Sequence, residues 1–137
     1  MKYCIDTNTL IHAWQFWYAP DTHPTFWTGI EELARNNRLK MPEQVLLELS
    51  EKEDDLSLWC RERSNVLVYS ATEETEKMYR NLVNQYPDMT GRLGMGDDFA
   101  DLYVVAVASV NEASVVTNED MAFERTPTAR QRKIKKL

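Results

Sequence analysis

From Asp98 to about Val110 the chain is apolar on almost every side (Phe99, Ala100, Leu102, Tyr103, Val104, Val105, Ala106, Val107, Ala108). Its valines favour strand, but a run of this length without turn residues reads as a helix buried all round. Such a helix needs covering layers on more than one side, and 137 residues with 43% apolar and 28% charged content are enough for one domain that supplies them. The shorter apolar runs are of another kind. Lys2-Tyr3-Cys4-Ile5-Asp6, Val66-Leu67-Val68-Tyr69 and Ser114 to Thr117 are strand-sized, and between them lie helical patterns: Thr9 to Tyr18, about Thr25 to Asn36, about Glu43 to Glu51 opened by Pro42, Leu56 to Arg63, and a helix begun by Thr72 with Glu76 and ended by Pro87. Pro87 to Gly96 reads as a loop. Strands alternating with helices imply right-handed crossovers, a mostly parallel sheet and a ligand site at the carboxyl ends of the strands.

Several functional classes are excluded by what is missing. No apolar run reaches the ~18 residues of a membrane span, and the N-terminus lacks the layout of a signal peptide, so a cytoplasmic location is expected. Four glycines, Gly29, Gly91, Gly94 and Gly96, cannot spell a nucleotide-binding loop. Cys4 and Cys60 lie in apolar surroundings and read as buried, reduced thiols. The net charge of −6 is unevenly spread: residues 1 to 124 hold ten bases against 22 acids, a net −12, and residues 125 to 137 hold six bases and no acid. The expected organisation is a body over 1–124 and a basic C-terminal tail over 125–137. An acidic body suits a polyphosphate partner only with help from the tail or from bound cations.

Four acids stand where solubility does not require them. Asp6 ends the first strand, Glu48 sits among the core positions Val45 and Leu49 of the third helix, Asp101 leads the buried helix, and Glu119 or Asp120 follows the last strand. Each has a simpler role available: Asp6 and Asp98 as helix caps, Glu48 as a boundary residue reaching solvent, Asp101 as a first-turn acid, the last two as loop residues. Taken together they point to convergence. Like charges brought close repel, and a divalent cation relieves that; oxygen-only ligands suit Mg²⁺ or Mn²⁺, and neither His12 nor His23 has a ligand-like neighbour in sequence. The chemistry such a site performs is metal-assisted phosphoryl transfer to water.

The stretches Tyr3-Cys4-Ile5-Asp6-Thr7-Asn8, Val45-x-x-Glu48-Leu49, Asp101 to Ala108 and Val115-Val116-Thr117-Asn118-Glu119 together resemble the PIN-domain nucleases, in the toxin branch related to VapC. The aromatic stretch Asn8 to Trp27 and a Glu after Val-Val-Thr look like the DUF4411 subfamily. This resemblance implies a three-layer α/β/α sandwich with a central, mostly parallel sheet and a pocket of Asp6, Glu48, Asp101 and Glu119 binding Mg²⁺ or Mn²⁺, with Asp120 as the alternative fourth acid. Asn8, Thr117 and Asp98 would be supporting groups. It further implies an endoribonuclease, cleaving RNA to 3′-hydroxyl and 5′-phosphate ends and silenced by a cognate antitoxin, often as a homodimer. Family members usually continue past the last strand into another, whereas the segment after Arg125 is basic.

Two alternatives accompany it. One is a PIN-like interaction module without catalysis. The other is a haloacid-dehalogenase-like phosphatase, which Asp6-Thr7-Asn8-Thr9 and Gly96-Asp97-Asp98-x-x-Asp101 approach, but which lacks its second Asp at Asn8 and leaves Glu48 and Glu119 without a task.

Overall fold

The computed structural model describes residues 1–87 and 99–118. The expected loop from residue 88 onward, Asp98, Glu119, Asp120 and the basic tail lie outside the described residues. The sheet has four parallel strands: β1 (Tyr3–Ile5), β2 (Leu39–Pro42), β3 (Val68–Tyr69) and β4 (Ser114–Val116), in the order β3-β2-β1-β4. Between β1 and β2 run α1 (Thr7–His12) and α2 (Pro24–Arg35); between β2 and β3 run α3 (Glu43–Ser50), α4 (Asp55–Glu62) and α5 (Ser64–Leu67); between β3 and β4 run α6 (Glu73–Gln85) and α7 (Phe99–Asn111). This is the expected α/β sandwich with a central parallel sheet. Among the described residues no helix is long and apolar enough to cross a membrane.

The apolar perimeter of α7 has a direct cause. Ala100, Val104, Val107 and Ala108 join the core cluster built on Cys4, Ile5, Leu39 and Met41 of the sheet, whereas Leu102, Val105 and Ala106 pack against Leu82, Met78 and Val83 of α6. The helix is held between two partners, which buries residues 102–108 on nearly every side.

The chain departs from the sequence expectation at three places. A strand, β2, occupies Leu39–Pro42, where none was foreseen. Helix α2 ends in a Schellman turn, with Asn37 at φ 58°, its N–H on the Ala34 carbonyl and the Arg38 N–H on that of Leu33. This turn delivers Leu39 and Met41 into the core, and Lys40 between them sends its ammonium to the carbonyls of Ala34 and Val66. Burial holds the Lys40 pKa below its usual value. Pro42 closes the strand and stands as the N-cap of α3, one position before the helix it was expected to open.

The second departure is at Val66-Leu67, which are helical, so β3 is only Val68–Tyr69; the N–H groups of both residues bond to the Arg63 carbonyl. The third is the end of the first helix. It begins at Thr7, and its last turn, Ala13–Trp17, is π-helical, with the Tyr18 N–H 2.7 Å from the Ala13 carbonyl. Helix α6 begins as expected at Thr72, but Thr75 completes the capping box and Glu76 accepts from the Tyr103 hydroxyl at 3.2 Å.

Candidate functional site

The two crossovers from β1 to β2 and β2 to β3 move one way across the sheet, and the connection to β4 returns to the other side of β1. The strand order therefore reverses between β1 and β4. In open parallel sheets the crevice beyond the carboxyl ends at such a point is where ligands bind. Asp6 follows β1 and Thr117 follows β4, so the sequence carries both to that crevice.

Asp6 is extended (φ −93°, ψ 170°) and 4% exposed, and each of its oxygens is held. Oδ1 accepts from the Thr9 N–H at 2.9 Å, which makes Asp6 the N-cap of α1; Oδ2 accepts from the Thr117 hydroxyl at 2.6 Å. The capping role and the site role therefore coincide in one carboxylate. Asp101, in the first turn of α7, lines the same cleft, and its Oδ2 is sealed from solvent. The cleft measures about 290 Å³; Val104, Val105 and Ala108 of α7 and Val115 of β4 belong to its apolar wall, and Asp6, Asp101, Ser109 and Thr117 are its polar groups.

Glu48 stands at one remove. It is half-buried on α3, and its Oε2 accepts from the hydroxyl of Thr7, the residue after Asp6, at 2.9 Å. Asn8 is half-buried in the first turn of α1. Of the singled-out residues the fold thus brings Asp6, Asp101 and Thr117 to one cleft and ties Glu48 to it through Thr7. Among the described residues no group of three His, Cys, Asp or Glu side chains able to hold a metal ion occurs. Glu119, Asp120 and Asp98 are outside them.

Two residues that the sequence reading passed over contribute to this geometry. The Thr9 hydroxyl donates to the Val116 carbonyl at 3.2 Å, and the ring Nδ1 of His12 is hydrogen-bonded to the Asn118 side-chain amide. Their signal was positional: residues 6, 9 and 12 recur at the three-residue spacing that shares a helix face.

Cys4, one residue before Ile5 on β1, has its thiol pushed up to about 12 by burial and then by the negative charge of Asp6; burial raises Cys60 to about 12 as well. Both thiols are free and buried, as expected, and neither is a nucleophile near neutral pH. A stability consequence follows. Below pH 9 native and unfolded chains both keep these protons; above it the unfolded chain releases them first, so stability falls as pH rises from 9 towards 12. Urea midpoints at pH 8 and pH 10.5 should show wild type losing of order 1–2 kcal/mol per thiol more than a Cys4→Ala/Cys60→Ala variant. Equal losses in the two proteins would contradict this.

The described residues thus form a four-stranded parallel sheet with an acidic cleft at the β1/β4 crevice. The chain is similar in structure to a chain of VapBC2 from Rickettsia felis, whose crystal structure is bound to a DNA fragment from the promoter, with a TM-score of 0.55, 21% identity, and coverage of 93% of this chain and 94% of that one. It belongs to the DUF4411 family, a domain of unknown function whose family model matches residues 3–136 and so runs through the basic C-terminal segment. No functionally curated protein matches the sequence.

Proposed function

We propose that this protein is a Mg²⁺- or Mn²⁺-dependent endoribonuclease acting in the cytoplasm, of the toxin type that a cognate antitoxin holds silent. The observation that carries the reading is the meeting of Asp6 and Asp101, far apart in sequence, in one cleft at the sheet's switch point.

The residues fit a hard divalent cation. All candidate donors are oxygens, two of them carboxylates facing an apolar wall, and one oxygen of Asp101 is shut off from water. Two anions so placed repel one another unless a cation lies between them. Asp6 and Asp101 would hold the ion, with Glu119, or Asp120 in its place, completing the set. When bound, the ion would supply a water of lowered pKa and charge compensation at the scissile phosphate. The chain's own groups do the remaining work. Thr9 and Thr117 hold the two oxygens of Asp6 in fixed directions, so its charge needs no rearrangement on substrate binding. Glu48, fixed through Oε2 by Thr7, keeps Oε1 to orient the attacking water and take its proton. Asn8 and Asp98 are supporting polar groups. The basic segment 125–137 contacts the RNA backbone, and a homodimer is the expected assembly.

Incubation of the purified protein with defined single-stranded and structured RNAs tests the reading. Cleavage is expected with Mg²⁺ or Mn²⁺, absent with EDTA, and restored by excess Mn²⁺, leaving 5′-phosphate and 3′-hydroxyl ends. Cleavage that persists in EDTA and leaves cyclic phosphates would sink the proposal.

A further inference from the structure

The exit from β4 is fastened to one face of α1 by three successive contacts. The Val116 carbonyl accepts from the Thr9 hydroxyl, the Thr117 hydroxyl donates to Asp6, and the Asn118 amide bonds to His12. Asp6, Thr9 and His12 are spaced by three residues, so they lie along one side of a single short helix. Of the three α1 groups only Asp6 lines the acidic cleft; His12 is half-buried, with its ring edge-on to Phe16 and Trp17 at 5.8 and 5.6 Å between centroids.

We propose that His12 is a positioning residue for the acidic cleft: by holding Asn118 it fixes the segment whose Thr117 hydroxyl sets the orientation of Asp6 Oδ2. The inference rests on the reading of Asp6 as a metal-binding carboxylate, and it adds a residue with no place in the cleft itself. The reasoning is one of leverage. Beyond Val116 the chain has left the sheet ladder, and the bonds from the Thr117 hydroxyl to Asp6 and from the Asn118 amide to His12 tie it back to α1. Loss of the His12 contact removes the tie next to Thr117, and so loosens the donor on one of the two oxygens of Asp6. The ring is suited to the task because a neutral imidazole offers one acceptor and one donor, and the π-helical turn after it packs Phe16 and Trp17 against it. Such indirect partners of a metal ligand typically contribute about tenfold or more to affinity.

Hydrogen exchange reads this positioning without any metal. The Thr9 N–H bonds to Asp6 Oδ1 at 2.9 Å, and an equivalent cap elsewhere, the Ser57 N–H on Asp54 Oδ1 at 2.9 Å, serves as internal control. In His12→Ala and in Asn118→Ala, Thr9 exchange should rise about three- to tenfold, the size of one hydrogen bond lost from a local opening, with Ser57 unchanged. The double variant should be no worse than either single one. His12→Gln, whose amide can still bond to Asn118, should restore protection. Titration with Mn²⁺ alone should follow the same order, with about tenfold weaker binding in His12→Ala. Unchanged Thr9 exchange, a parallel rise at Ser57, or no rescue by Gln would each overturn the proposal. If wild type binds no Mn²⁺ while Thr9 still responds, the metal reading fails and the positioning role stands.

Discussion

Replacing Asp6 by Asn should lower RNA cleavage by about 10²- to 10³-fold and leave the fold intact. Asparagine is as good an N-cap as aspartate, and its Oδ1 can keep the bond from the Thr9 N–H that starts α1. What it removes is the charge. If that charge holds the cation, several kcal/mol of transition-state stabilisation go with it, and each 1.36 kcal/mol is a factor of ten in rate. Asp101→Asn should behave alike, and the double variant little worse than either, because groups that act as one unit do not add. Both single variants should melt close to wild type, since each removes one of two neighbouring like charges. Rates are best taken from single-turnover cleavage of one labelled RNA. Equal cleavage by wild type and both variants would mean that the activity belongs to another site or another protein.

The largest stability effect is expected far from that cleft, at Trp27. Its ring is 3% exposed and edge-on to Trp14, Phe26 and Trp59 at 4.8, 5.1 and 5.2 Å, and its indole N–H donates to the Tyr18 carbonyl at 2.6 Å. One side chain thus fastens α2 both to α4, through Trp59, and to the turn that follows the π-helical segment. Trp59 in turn lies under the Arg63 guanidinium at 4.5 Å, and Glu31 of α2 pairs with Arg63, which keeps the Glu31 carboxyl below its ordinary pKa range. Trp27→Ala should cost about 3–5 kcal/mol, a large part of the ~5–15 kcal/mol available to a domain. Trp27→Phe keeps most of the apolar contact but leaves the Tyr18 carbonyl without its donor, and should cost about 1–2 kcal/mol. Urea denaturation measures both. A Trp27→Ala variant within about 1 kcal/mol of wild type would show that the aromatic cluster is a surface feature.

The sequence disclosed the parts of this fold that depend on local pattern. A first strand with Asp6 at its end, an all-round apolar helix from about residue 98 to 110 and the buried thiols could each be read from a few neighbours, and the structure has them within a residue or so, at Tyr3–Ile5 and Phe99–Asn111. Leu39–Pro42 could not. Four residues with a lysine at the centre and a proline at the end carry little strand signal, and Leu39 and Met41 are fixed in place by the α2 Schellman turn and the strand on either side. Val66-Leu67 misled in the opposite direction, because β-branched propensity yields to the bonds from their N–H groups to Arg63. At the site, a strand end and a helix start were enough to single out Asp6 and Asp101, whereas Thr117 was indicated only by the family resemblance. The placement of Glu48 behind Thr7, and the parts taken by Thr9 and His12, depend on how α1 lies against α3 and the β4 exit. That is a matter of strand order and helix packing, which no short window of sequence records.

The pairing of Tyr3 with Ser114 also places the cleft in time. A chain made from its N-terminus presents Asp6 almost at once, but the neighbour that completes β1 and the hydroxyl that holds Asp6 are among its late products. Closing so long a loop is slow, since non-local strand pairs form only after their entropy cost is met. An unfinished chain, or one cut before β4, therefore has Asp6 without its Thr117 anchor and without the crevice between the strands. On the function proposed above, activity on RNA would arrive only once β4 has been made and paired, after a delay in which a silencing partner can already be present.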